Sequence, residues 1–347
     1  MSMNKTKLVT NAFFVLGIII LGFMINKIGI DVIWENIKLT KWWFFAIVGI
    51  WGVVYLINTV SLQLIIRDGS EESKSVSFVQ TFRLIISGYA INQITPAGLL
   101  GGEPYRIMKL KPKIGIQKAT SSVLLYMMMH VVSHFIFWMT SIPLLLFLVP
   151  GVSQTIKLIL FAVAVGSLFL LYWSFTFYSK GFIVKALTIA SKIPFLGKKV
   201  RVFYRKHQEK IIQMDYLIAD LYKNRKKDFI YSLTIELLSR YVQCIEIVLM
   251  MYAIGYPITF AASVLIEAVQ SLVGNIFFFM PMQLGAREGG FLIVFGLLGF
   301  AATHGVYVSL CMRIRDLVWS VIGMGIIRYD SRKRSEEAIP QENSSNY

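Results

Sequence analysis

Charge is scarce in this 347-residue chain: 16% of residues are Asp, Glu, Lys or Arg, against roughly 25% in soluble domains. Hydrophobic residues make up 56%, which excludes a disordered chain and argues against a soluble globular one. Acidic residues are scarcer still, 19 against 35 Lys and Arg, for a net charge of +16. In a soluble chain that excess would point to nucleic acid, but the long apolar runs redirect it, and no nucleic-acid partner is expected. Cysteine is limited to Cys244 and Cys311, both inside apolar stretches and without Cys/His spacing, so neither a disulfide framework nor a zinc site is expected. The His-Glu-x-x-His, Gly-x-Ser-x-Gly, Walker A and Gly-x-Gly-x-x-Gly motifs are all missing, and no metal or cofactor is predicted.

What the sequence has instead is apolar length. About 20 apolar residues cross the hydrocarbon core as a helix, and residues 8–25, 42–66, 119–148, 156–178, 229–253 and 305–327 reach or approach that length. The run at 8–25 follows Lys5 and Lys7 but is long for a signal peptide and has no small-residue cleavage site after it, so it reads as a retained first span. Two further stretches, 79–105 and 258–303, are apolar but interrupted by Gly, Pro and charges.

The basic residues then set the topology, because cytoplasmic loops collect Lys and Arg. Segment 179–228 holds thirteen Lys/Arg against four acids, and 106–118 carries five basic residues and no acid. Both are expected inside. Counting spans from an inside N-terminus, a full crossing at 79–94 would leave 106–118 outside. The conflict disappears if 79–105 is a re-entrant hairpin turning near Pro96. Closure with the basic C-terminal residues inside then requires 258–303 to start and finish outside, as a second hairpin or a pair of crossings. The predicted fold is an all-α polytopic integral membrane protein with an inverted-topology repeat and two broken helical hairpins. One transmembrane domain spans 1–328, with repeat halves at about 42–148 and 229–328 and a polar cytoplasmic tail at 329–347. The joining loop contains an amphipathic basic helix at 202–221, and residues 198–227 are expected to contact anionic lipid of the inner leaflet. The expected location is the plasma membrane, with both termini cytoplasmic.

The two broken stretches match in detail. The first carries Asn92, Pro96, Gly98, Gly101, Gly102, Glu103 and Arg106, and the second Asn275, Pro281, Gly285, Arg287, Glu288 and Gly289. In each, a proline precedes a glutamate by seven residues, with an Asn four to six residues before the proline. Pro and Gly unwind the helix, and the freed backbone groups must be buried in protein or line a wet cavity. Interrupted helices at equivalent places in two halves mark a central binding site. A new helix starting at Gly101 or Gly285 would aim its amides at an anionic group, with Arg106 and Arg287 adding phosphate-matching forks. Glu103 and Glu288 would organise those arginines, bind an amine or carry a proton. The simpler reading is helix packing through Gly98/Gly102 and Gly285/Gly289.

Other charges lie at membrane depth. Glu236, Arg240 and Gln243 share one helix face, so Glu236 and Arg240 either neutralise each other or serve a substrate. Arg313, Arg315 and Asp316 sit in the last span, where Arg313 and Asp316 share a face, leaving one arginine to pair and the other for a ligand. Glu267 and Gln270 add to the polar lining. His130 and His134, one turn apart, lack an Asp, Glu or Cys companion in their span, which disfavours a metal.

The run from Pro96 to Arg106, followed by a basic stretch, and that from Pro281 to Gly289 resemble the transmembrane, flippase-like domain of lysylphosphatidylglycerol synthases. The resemblance covers about 8–328. It implies lipid handling, with an anionic phospholipid or isoprenoid-linked head group as cargo. The synthase activity of bifunctional members belongs to a separate soluble domain, for which the sequence after the last span has no room, so it is not carried over. The expected function is a lipid flippase or transporter. The alternatives are a membrane transferase with Glu103 or Glu288 as general base, or an accessory subunit. A homo-oligomer or a partner lipid-modifying enzyme fits any of these.

Overall fold

The computed structural model of the chain describes residues 30–94, 101–149, 151–179, 182–192, 197–277 and 286–337. The predicted span 8–25 and the predicted site residues Pro96, Gly98, Pro281 and Gly285 lie outside the described residues. Every regular element among the described residues is a helix. In order these are α1 (Ile30–Thr40), α2 (Trp43–Ile66), α3 (Glu71–Lys74), α4 (Phe78–Ile94), α5 (Gly102–Leu148), α6 (Gln154–Ser179), α7 (Phe182–Ala190), α8 (Gly197–Lys223), α9 (Lys226–Ala253), α10 (Phe260–Ile276), α11 (Ala286–Leu297) and α12 (Ala302–Glu337).

Stretches long and apolar enough to cross a membrane occur in Trp43–Ile66, Gly102–Leu148 and Gln154–Ser174. α9 and α12 are as long, but their apolar runs contain the buried charges Glu236, Arg240, Glu246, Arg313, Arg315 and Asp316. α9 packs along α2, α12 along α4, and α10 along α11. Small residues permit these close approaches. A Cβ built on Gly323 of α12 would stand 2.5 Å from Ala90 Cβ and 2.9 Å from the Ile86 carbonyl oxygen of α4. Between α2 and α9 the hydroxyls of Ser61 and Ser232 meet at 2.9 Å. At the start of α9, Arg225 donates to the carbonyls of Leu64, Ile65 and Arg67, satisfying acceptors that the end of α2 leaves open.

Three expectations change. The basic stretch 106–118 is helical rather than a loop: α5 runs through it and is broken at Gly115, where φ 74 and ψ 164 suit only glycine. Pro112 contributes to the break by lacking an N–H donor. α5 therefore has a short first limb and a long second one. Next, the last helix continues to Glu337, so much of the predicted tail is helical, and Arg83 of α4 reaches Asp330 at 3.4 Å. Finally, the apolar stripe of α8 is largely covered by protein. Ile211, Ile218 and Leu221 are buried where the helix meets α5 and α9, and the buried carboxylate of Asp215 accepts the Ile183 and Val184 N–H groups, capping α7. Only the first half of the stripe, with Val202 and Phe203, is exposed.

Both broken stretches bring their two ends together. Around the first, Lys113 donates to the Ser75 carbonyl at 2.8 Å and to Gln80 Oε1 at 2.7 Å, and Lys118 pairs with Asp68 at 2.6 Å. Around the second, the rings of Tyr256 and His304 stack with centroids 4.2 Å apart.

Two outcomes test this packing. Gly323→Val should destabilise the protein by about 1–3 kcal/mol in unfolding from detergent micelles, whereas Gly325→Val, with nothing within 4 Å of the added Cβ, should leave the midpoint unchanged. The turn at Asp68 supplies a pH signature. Partial burial raises its carboxyl, but hydrogen bonds from Lys118 and Ser70 outweigh this and hold it below the usual carboxylate range. Its stabilising contribution is therefore present at neutral pH and lost as pH falls below about 4. Thermal unfolding of Lys118→Ala should converge with that of the parent protein toward the bottom of that acid range.

Candidate functional site

The first cluster is built where α4, α5 and α9 meet. α5 begins at Gly102, with Gly101 as its N-cap. A Cβ on Gly102 would stand 2.3 Å from the Gly88 carbonyl oxygen of α4, so the contact between the two helices admits no side chain there. The Gly102 N–H donates to Asn92 Oδ1 at 2.7 Å, and Asn92 Nδ2 donates to Glu103 Oε1 at 3.3 Å. Arg106 Nη1 donates to the same Glu103 oxygen at 3.1 Å. The helix start predicted to await an anion is thus already met by the chain's own Asn92 amide oxygen and first-turn carboxylate.

Arg106 lies with its guanidinium 5.5 Å from the Tyr126 ring centroid, and its Nη2 donates to the Ile85 carbonyl at 3.4 Å. A Cβ on Gly88 would stand 2.5 Å from Arg106 Nε, so this glycine makes room for the guanidinium. One helical turn beyond Tyr126, His130 Nδ1 meets Glu236 Oε2 of α9 at 3.0 Å. Arg240 donates from Nε to Ser133 Oγ at 3.1 Å and from Nη2 to the His130 carbonyl at 3.0 Å. Glu236 and Arg240 feel each other's charge along α9 without touching. They lack a direct ion pair because α5 packs against this face and offers each a separate partner. Arg240 consequently has no carboxylate within 4 Å among the described residues.

The second cluster centres on α12. Arg315 donates from Nη1 to Glu246 Oε2 of α9 at 2.9 Å and from Nε to the Met312 carbonyl at 3.4 Å, it forms an ion pair with Asp316 Oδ1 at 3.0 Å, and its guanidinium carbon lies 3.9 Å from the Trp51 ring centroid of α2. Trp51 Nε1 also donates to Glu246 Oε2, at 2.6 Å. Asp316 receives Tyr89 Oη of α4 at 2.7 Å and Arg287 Nη1 of α11 at 2.9 Å. Arg313 points to another side of α12 and donates from Nε to Glu288 Oε1 at 2.9 Å, and Ser309 donates to the same oxygen at 3.0 Å. The expectation of one paired and one free arginine in the last span is therefore corrected. Successive helical positions place Arg313 and Arg315 about 200° apart, so each finds a different carboxylate. Glu288 likewise organises Arg313 rather than Arg287.

Glu267 of α10 lies within Coulombic reach of Arg240 in the first cluster and of Arg287 and Arg315 in the second. Asn275 does not join either cluster: it is exposed and donates to the Ser271 carbonyl of its own helix. The glycine packed in the second broken stretch is Gly290, against Gln270 and Val273, while Gly289 meets nothing within 4 Å. Sequence reasoning missed Trp51, Tyr89 and Glu246 and the role of His130. The rule that a charge inside a span must be paired flags Glu246, but nothing in the sequence names its partners. Among the described residues no three His, Cys, Asp or Glu side chains cluster as a metal site.

Removing one member of a buried ion pair strands the other charge and costs about 3–5 kcal/mol. Arg315→Leu should show a loss of that size in unfolding from detergent, while Arg83→Leu, at a partly exposed 3.4 Å pair, should change stability by about 1 kcal/mol at most.

Set beside known proteins, the chain has no match among curated proteins and none among solved structures. The family model described as the lysylphosphatidylglycerol synthase TM region does match, over residues 11–324. The apolar helices and the charge pairs closed up between them are those of a membrane protein, and the chain belongs to the lysylphosphatidylglycerol synthase TM region family.

Proposed function

We propose that the protein moves an anionic phospholipid, or an isoprenoid-linked anionic head group, between the leaflets of the plasma membrane. The head group passes the first cluster while the hydrocarbon tails stay in the bilayer. The observation that carries this reading is Arg240, a buried guanidinium whose hydrogen bonds go to a hydroxyl and a backbone carbonyl rather than to a carboxylate. Its remaining donors suit a phosphate oxygen, and Arg106 stands close by. The family supports lipid modification or transport as the setting.

In this reading the two broken stretches are re-entrant hairpins of an inverted repeat. The meeting of Lys113 with Ser75 and of Tyr256 with His304 supports it, because each stretch then returns to the level at which it began. Both termini are placed in the cytoplasm, where the exposed half of α8, with Arg201, Val202, Phe203, Arg205 and Lys206, would lie on anionic lipid. The transferase reading is weaker because both proposed bases, Glu103 and Glu288, carry arginine partners.

Purified protein in liposomes should exchange fluorescently labelled phosphatidylglycerol between leaflets, read by dithionite quenching. Arg240→Ala should slow the exchange by about tenfold or more, the size expected when a charged hydrogen bond is lost. Exchange equal to the parent rate would remove Arg240 from the path. In a deletion strain, a normal lipid in the wrong leaflet supports transport, and a missing lipid species supports the transferase.

A further inference from the structure

Resting on that reading, we propose that His130 and Glu236 form a proton-binding site that loads one proton with each anionic head group, so that lipid movement is driven by the proton gradient.

The geometry fixes the chemistry of the pair. With Glu236 ionised, its carboxylate only accepts, so the 3.0 Å contact with Oε2 puts the imidazole hydrogen on His130 Nδ1 and leaves the lone pair on Nε2. The His130 side chain is 38% exposed, while that of Glu236 is 1% exposed. Of the two, the histidine is the more accessible and the carboxylate lies behind it, so the proposed site takes up its proton at His130. One turn along α5, His134 Nδ1 meets the His130 carbonyl at 3.1 Å. A carbonyl also only accepts, so His134 presents Nε2 as well. The two rings stand 5.3 Å apart, extending the path by one turn.

Charge balance supplies the coupling. Facing His130 are Arg106, Tyr126 and His134 of its own helix α5 and Arg240 and Glu236 of α9, with Glu103 behind Arg106 and Glu267 of α10 beyond Arg240. With both imidazoles neutral, the two arginines and the carboxylates of Glu103 and Glu236 cancel, and Glu267 belongs with the second cluster, whose Arg287 and Arg315 act on it more strongly than Arg240 does. A head group bearing one negative charge, seated on Arg240, leaves the cluster one charge negative at membrane depth, where an uncompensated charge is strongly disfavoured. One proton on His130 Nε2 restores neutrality and turns the contact with Glu236 into a full ion pair. The proton enters from water on one face and leaves to water on the other, and no other bond is made or broken.

The test uses liposomes carrying labelled phosphatidylglycerol, with the outside one pH unit more acidic than the lumen, compared with protein-free vesicles. One-to-one loading predicts inward accumulation of the label to about tenfold asymmetry per pH unit. Because proton and anion move as a neutral pair, a potassium diffusion potential set by valinomycin should not alter that asymmetry. In His130→Gln, and independently in Glu236→Gln should the first fail to fold, the asymmetry should fall to that of protein-free vesicles whatever rate remains. Label movement that ignores the pH gradient, follows the potential, or keeps its gradient dependence in both variants overturns the proton site while leaving lipid transport standing. No label movement in the parent protein at any pH overturns the transport reading and the proton site together.

Discussion

The guanidinium of Arg315 is the point on which the helix arrangement depends. It is buried, and a charge so placed requires partners on several sides at once. Glu246, Asp316 and the face of Trp51 supply them, and Asp316 in turn holds Tyr89 and Arg287. Through these few contacts α2, α4, α9, α11 and α12 are fixed relative to one another. In a membrane, apolar side chains gain little by leaving lipid for protein, so polar contacts and close packing must choose the arrangement. Glycine and serine at the crossings then let the backbones close around the choice, as at Gly323 against Ala90 and at Ser61 against Ser232.

The two clusters use the same residue types for different ends. Around Asp316 each guanidinium has a carboxylate, and the aromatic rings of Trp51, Tyr55 and Tyr89 pack beside them. Such a knot is closed. Around Arg240 the partners are a hydroxyl and a carbonyl, and the adjoining carboxylate is committed to an imidazole rather than to a cation. That arrangement can accept charge without first breaking an ion pair. Glu267, sensed by arginines of both clusters, joins them electrostatically without sealing either.

Local chemistry was readable from the sequence, and pairing was not. The apolar run at 42–66 became Trp43–Ile66 and that at 156–178 became Gln154–Ser179, because hydrophobic length alone decides such helices. The restart at Gly102 followed from Pro and Gly chemistry within a few residues. The spacing of Glu236 and Arg240 allowed a pair or a substrate role, and packing of α5 gives Glu236 a contact with His130 and Arg240 one with Ser133. The partners of Glu236 and Arg240 lie 106 and 107 residues away and that of Arg315 lies 69 away, and one-dimensional spacing contains no such term. The stripe on α8 shows the same limit: the pattern reveals an apolar face, but only the tertiary arrangement shows that Ile211, Ile218 and Leu221 are covered by protein.

The break at Gly115 has a mechanical meaning. A continuous 47-residue helix would be a stiff rod, transmitting any tilt from the Glu103 end to the Leu148 end. With φ at 74 inside α5, the ladder of backbone hydrogen bonds is interrupted, and torque is not carried across it. The limb bearing Arg106 is tied to α4 through Gly88 and Asn92, and the limb bearing His130 is tied to α9 through Glu236 and Arg240. Two guanidiniums facing one histidine therefore belong to separate levers, and a glycine with no side chain is the pivot between them.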